Sequence, residues 1–284
     1  MKNGLIDLRG KLPQGLVDVY QRVQTLADQL QLDVLVVGAM ARDLVLVHGF
    51  NARLERGTRD IDFAVQLADW SSFHTLTEAL INDNFRKSEK WSHRFNFNAK
   101  DDMTWEIGII PFGGVTDPEQ NIKWPPDQSI MMSVLGFDEA HENALYVNIG
   151  DDVSSFVMKV VSPPAMSVLK LISWLEREPT IRRKDAQDLR YLMNTYSKIP
   201  QIFDRIYEQG FMEAQDWDED KASAMILGAD ANALIKPNTH EFLSSNLITK
   251  PDKLDLLLRE MVNTSIEIDY DDSELKVFID VFSK

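Results

Sequence analysis

With 284 residues, 44% of them hydrophobic and 26% charged, the chain is long enough to bury a core in two packed domains. It contains no cysteine and five scattered histidines, which excludes disulfides, thiolate zinc centres and a cysteine nucleophile. With neither cysteine nor paired histidines, any bound metal is expected to be hard and oxygen-ligated, while a net charge of −15 opposes nonspecific binding to nucleic acid and leaves room only for a local basic groove.

No window approaches the roughly 18 uninterrupted apolar residues that span a bilayer, and the first residues lack an apolar signal core. A cytoplasmic protein with no membrane partner is the expectation.

In chain order, residues 16–31 place Leu16, Val19, Tyr20, Val23, Leu26, Ala27 and Leu30 at spacings of three and four, which predicts an amphipathic helix. An apolar strand, Val34–Val37, ends at Gly38 and gives way to a helical pattern reaching His48. Glycine at such a turn lets the backbone approach a ligand, and a helix start offers free N–H groups to a phosphate. A simple tight turn explains the same residues equally well.

An Arg-rich loop holding Arg53, Arg56 and Arg59 precedes Asp60-Ile61-Asp62-Phe63-Ala64-Val65. Side chains alternate along a strand, so Asp60 and Asp62 share one face, which suits a divalent cation. Other Asp-x-Asp pairs in this acidic chain, such as Asp216/Asp218, lack an apolar strand around them and read as solvated surface. Residues 69–82 predict a helix with Asp69 as its N-cap. His93–Asn98 and Thr104–Ile110 form an antiparallel hairpin about a Lys100-Asp101-Asp102 turn, closed by Pro111-Phe112-Gly113-Gly114.

Residues 115–143 read as irregular, with Trp124-Pro125-Pro126 extended. Two further strands, Ala144–Ile149 and Val153–Val161, complete the sheet. Ser162-Pro163-Pro164 then starts a helical half, with helices expected near 164–177, 182–196, 199–209, 218–230, 251–263 and 274–282. The expected domains are therefore 1–160, α/β, and 161–284, all helical. The acidic run Asp216-Trp217-Asp218-Glu219-Asp220 is not a calcium loop, because Lys221 stands where the loop requires glycine.

Nucleotidyl transfer needs this kind of set: carboxylates for magnesium, a turn for the triphosphate, and cations for developing charge. The chain resembles the polymerase-β-like nucleotidyltransferases, and among them the AbiEii-type group, which includes toxins of toxin–antitoxin systems. The resemblance rests on Gly38-Ala39-Met40-Ala41-Arg42-Asp43, Thr58-Arg59-Asp60-Ile61-Asp62-Phe63, Pro111-Phe112-Gly113-Gly114, Gly136-Phe137-Asp138-Glu139-Ala140, Leu169-Lys170-Leu171 and Lys184-Asp185-Ala186-Gln187-Asp188-Leu189. These span about residues 34–192, and residues 200–284 carry no recognisable motif.

The resemblance implies an α+β fold, with a mixed core sheet of about five strands followed by a helical domain. It implies a magnesium or manganese ion on Asp60 and Asp62, and an NTP held by Gly38, Ala39, Arg42, Thr58, Arg59 and Lys170. Asp185 would join Lys170 in facing the nucleotide. The acceptor hydroxyl would belong to a tRNA end, a small molecule or a protein, and an antitoxin would be a partner.

One position departs from the family pattern. Where the family carries an aspartate three residues before Pro-Phe-Gly, as third metal ligand, this chain has Gly108. The strand's carboxylate is Glu106, on the same face but displaced by about 7 Å. Three readings follow: Glu106 serves as third ligand or base, the site is metal-poor and slow, or the protein is a silent relative that binds a nucleotide or a partner.

Overall fold

The computed structural model describes residues 5–101, 103–125, 130–262, 270 and 273–284. Asp102 of the hairpin turn, Pro126 of the extended element and the end of the helix expected to reach 263 lie outside them. The chain divides into two compact units, Met1–Gly49 with Arg53–Val161, and Phe50–Ala52 with Ser162–Lys284.

The first unit runs β1 (Leu5–Asp7), α1 (Gln14–Leu30), β2 (Asp33–Val37), α2 (Gly38–Arg42, continuing as a π-helix over Asp43–Gly49), β3 (Asp60–Leu67), α3 (Trp70–Asn82), β4 (Arg86–Lys87), β5 (Arg94–Asn98), β6 (Thr104–Gly113), β7 (Asn121–Lys123), β8 (Met131–Ser133), α4 (Phe137–Glu142), β9 (Leu145–Gly150) and β10 (Ser155–Val160). One mixed sheet of eight strands has the order β1-β9-β10-β2-β3-β6-β5-β4, and β7 with β8 forms a separate pair. The expected core of about five strands is thus embedded in a wider sheet. The additions are mostly edge strands of two or three residues, too short to show alternation.

The predicted hairpin is β5 and β6, antiparallel, with Asn98 opposite Thr104. The irregular reading of 115–143 missed β7, β8 and α4, again because each is short. Asp69 caps α3 as predicted, its carboxylate accepting from the Ser72 amide at 2.8 Å. Such a cap is worth about 1 kcal/mol.

β3 is central, and its inward side chains explain its apolar end. Phe63 is fully buried and meets the Tyr20 ring of α1 edge-on, with centroids 5.9 Å apart. Because strand faces alternate, the burial of Phe63 against α1 turns Asp60 and Asp62 to the opposite face. Hydrophobic packing on one side thereby sets the orientation of the acidic pair on the other.

The second unit contains α5 (Pro163–Glu176), α6 (Pro179–Thr195), α7 (Pro200–Glu208), α8 (Phe211–Ala214), α9 (Glu219–Asn232), α10 (Pro237–Leu243), α11 (Pro251–Val262) and α12 (Glu274–Phe282). Prolines occupy the first turn of α5, as expected, although the Ser162 side chain makes no cap. α10 was not foreseen: its polar sequence hides a short turn anchored by buried Leu243. A polar cluster ties α5, α6 and α11 together, since the Trp174 indole and the Arg182 guanidinium both donate to the buried Glu260 carboxylate, at 2.7 and 2.9 Å.

Candidate active site

The candidate site lies on the face of the sheet where β3, β6 and β5 run side by side. Register places Asp60 beside Glu106, which faces Asn96, and Asp62 beside Gly108, which faces Arg94. The side chains of both rows share one face, so the two rows form a small charged platform.

Gly38 closes one side of this platform. Its φ of +75° belongs to the left-handed region, and a Cβ there would come within 3.0 Å of Asp62 Oδ2. Glycine is therefore required both for the turn and for its approach to the carboxylate. Ala39 follows it, half-buried at the start of α2.

Thr58 and Arg59 position the strand start. The Thr58 hydroxyl accepts from the Asp60 amide at 3.1 Å, and the Arg59 carbonyl accepts from the Glu106 amide at 3.1 Å. The Arg59 side chain is exposed. Arg42, expected to hold phosphate, is instead buried: its guanidinium donates to Asp43 at 2.7 Å and to the Arg56 carbonyl at 3.2 Å. In this arrangement Arg42 pins the Arg-rich loop to the helix.

Asp60 is exposed, while the Asp62 side chain retains 25% of its exposure. Above the bare Gly108, Arg94 Nη1 reaches Asp62 Oδ1 at 3.1 Å, and the same nitrogen lies 3.6 Å from Glu106 Oε1. Both Nη1 and Oδ1 are shielded from solvent, yet neither completes a hydrogen bond. Among the described residues no three acidic or histidine side chains converge on one point, and Arg94 standing between Asp62 and Glu106 is the reason on this face. Hard carboxylate oxygens and the orphaned Asp62 Oδ1 fit a magnesium-like ion held by Asp60 and Asp62.

Arg94 escaped the sequence reading, although a signal existed. Counting back from the hairpin turn pairs Asn98 with Thr104, Asn96 with Glu106 and Arg94 with Gly108, which sets an arginine opposite the missing side chain.

Lys170 and Asp185 meet each other inside the second unit. Lys170 Nζ donates to Asp185 at 2.9 Å and to Asp188 at 2.6 Å, and Arg177 donates to Asp185 at 2.8 Å. Both aspartates are almost wholly buried. Aspartates three apart on α6 thus clamp the α5 lysine, a pair of charges that is costly to break.

His93, next to Arg94, stacks on Trp124 with ring centroids 4.6 Å apart. Burial first, and the Arg94 charge second, lower its pKa from 6.5 to about 4. The folded protein therefore binds this proton less readily than the unfolded chain. Stability is full above pH 6.5 and falls as pH drops towards about 4. Discounted for the ring's partial exposure, the loss is about 1–2 kcal/mol. His93→Gln should remove that increment, measured as the difference in urea midpoint between wild type and variant across this window.

No curated protein sequence matches the chain. Among solved structures, an antigenic nucleotidyltransferase-like protein from Paracoccidioides brasiliensis is similar at 14% identity and a TM-score of 0.41, over 71% of this chain and 91% of that one. The lincosamide antibiotic adenylyltransferase LnuA, solved with lincomycin, is similar at 13% identity and a TM-score of 0.36, over 64% and 98%. The antibiotic-resistance factor ANT(2'')-Ia gives 13% and 0.34, over 63% and 86%. Residues 24–267 match the family described as "Nucleotidyl transferase AbiEii toxin, Type IV TA system". That match spans most of the chain, including the acidic strand, the hairpin and the Lys170 cluster, and the chain belongs to the AbiEii nucleotidyltransferase family.

Proposed function

We propose that this protein is a magnesium-dependent nucleotidyltransferase that moves an NMP from an NTP to an acceptor hydroxyl, the new hydroxyl–α-phosphorus bond replacing the α–β phosphoanhydride bond as pyrophosphate leaves. The observation that carries the reading is the Asp60/Asp62 face of β3, closed by Gly38 at one side and bordered by Glu106. Asp60 and Asp62 would hold the ion, magnesium or manganese, which supplies Lewis-acid charge to the triphosphate. Glu106, half exposed beside Asp60, accepts the proton of the attacking hydroxyl. The Gly38-Ala39 turn offers backbone to the triphosphate, and water exclusion and alignment supply much of the remaining rate.

The acceptor classes are a tRNA end, a small molecule and a protein. The family's toxin description fits an antitoxin among the partners, and the net charge of −15 weighs against extensive RNA contact. A silent, nucleotide-binding relative is the second reading, and the Arg94–Asp62 contact over Gly108 favours it.

Incubation with α-labelled NTPs, magnesium and cell extract tests the proposal. Label should enter one fraction, RNA, protein or small molecule, and thereby name the acceptor. Label absent from all three, with nucleotide binding that ignores magnesium in calorimetry, contradicts the transferase and supports the silent reading.

A further inference from the structure

The position opposite Gly108 carries more than a compensation for a lost side chain. Three neighbouring strands present Asp62, Gly108 and Arg94 in one row. A Cβ on Gly108 would lie 2.3 Å from Asp62 Oδ1 and 3.1 Å from Arg94 Nη1. The glycine is thus the floor on which carboxylate and guanidinium meet, and no other residue leaves room for that contact. Arg94 Nη1 also lies near Glu106 Oε1, so one guanidinium serves both carboxylates.

We propose that Arg94 is a built-in cation of the active face, balancing Asp62 and Glu106 and contacting the triphosphate of the incoming nucleotide in place of a second divalent ion. A two-metal site uses one ion for each side of the transferred phosphorus, and here a third carboxylate for the second ion is replaced by glycine. A guanidinium is charged at every working pH and presents a planar fork that matches phosphate oxygens. The shielded Nη1 and Oδ1, in charge contact without a completed hydrogen bond, are groups left to be satisfied by a ligand. A metal–nucleotide would satisfy both, with Asp62 Oδ1 as a ligand to the ion and Arg94 Nη1 donating to a phosphate oxygen.

This inference rests on the transferase reading, and manganese titration followed by electron paramagnetic resonance separates the two. Without nucleotide, Arg94→Gln removes the competing positive charge and should tighten manganese binding about tenfold. With a non-hydrolysable NTP, the same variant should bind nucleotide about tenfold more weakly. Arg94→Lys keeps the charge and loses the fork, so its manganese affinity should match wild type while its nucleotide affinity falls. That variant decides the matter if Arg94→Gln does not fold. Unchanged manganese and nucleotide affinities in the variants, or no manganese binding in wild type, overturn the role of Arg94. Loss of label transfer in Asp60→Ala would leave the transferase reading standing in the first of those cases.

Discussion

Asp62→Ala is expected to reduce nucleotidyl transfer by about 10²- to 10³-fold at saturating NTP, a loss of roughly 3–4 kcal/mol of transition-state stabilisation. Asp62 is the residue on which the site converges. A Cβ at Gly38 would lie 3.0 Å from its Oδ2, Arg94 contacts its Oδ1, and the strand register sets it beside Gly108. Removing the carboxylate would delete the proposed metal ligand and leave the Arg94 charge facing Glu106 alone. Global stability should change little, because Asp62 keeps a quarter of its exposure and lies on the face away from the Phe63–Tyr20 core. Single-turnover rates with labelled NTP, read beside thermal melts, check this. A variant that melts normally and transfers label at the wild-type rate would exclude Asp62 from the chemistry.

Gly108→Asp should have an effect opposite to simple family logic. An aspartate here, as the family resemblance implies, would not restore a metal site, because the new Cβ falls 2.3 Å from Asp62 Oδ1. Asp62 must move, the Asp62–Arg94 contact opens, and a third negative charge joins Asp62 and Glu106. Overpacking of this kind costs about 1–3 kcal/mol, and the added repulsion enlarges it unless a cation binds. The expected result is a destabilised protein whose melting temperature recovers on addition of millimolar manganese, recorded by calorimetric scans with and without the metal. A variant as stable as wild type, with unaltered metal response, would show that the space above Gly108 is not what holds Asp62.

Much of this architecture was legible in residue patterns, for identifiable reasons. β3 reads clearly because a strand buried at its end and acidic at its start leaves an asymmetric pattern, and the hairpin reads because alternation on both arms frames a polar turn. The Asp69 cap was legible from local hydrogen-bonding chemistry alone. The short elements β1, β4, β7, β8 and α4 were not, since two or three residues of strand, or six of helix, cannot establish a period and their form comes from neighbours in space.

The site was legible in part. Asp60, Asp62 and Gly38 announce themselves through strand alternation and a turn that demands glycine. The resemblance implies that Arg42 and Lys170 hold phosphate, yet what a cation does depends on which carboxylates the fold brings to it. Asp43 meets Arg42, and Asp185 with Asp188 meets Lys170. Arg94 illustrates the converse. Nothing in HRFNFN singles it out, and only cross-strand register with Gly108 gives the residue its place.

The central claim is that the β3 face carrying Asp60 and Asp62 is a metal-dependent nucleotide site. A crystal structure with manganese and a non-hydrolysable NTP tests it most directly. The account predicts an anomalous peak at about 2.1 Å from carboxylate oxygens of both Asp60 and Asp62, with the triphosphate between the Gly38 turn and Arg94. A manganese peak bound to neither aspartate, or a triphosphate seated away from that turn, would contradict it.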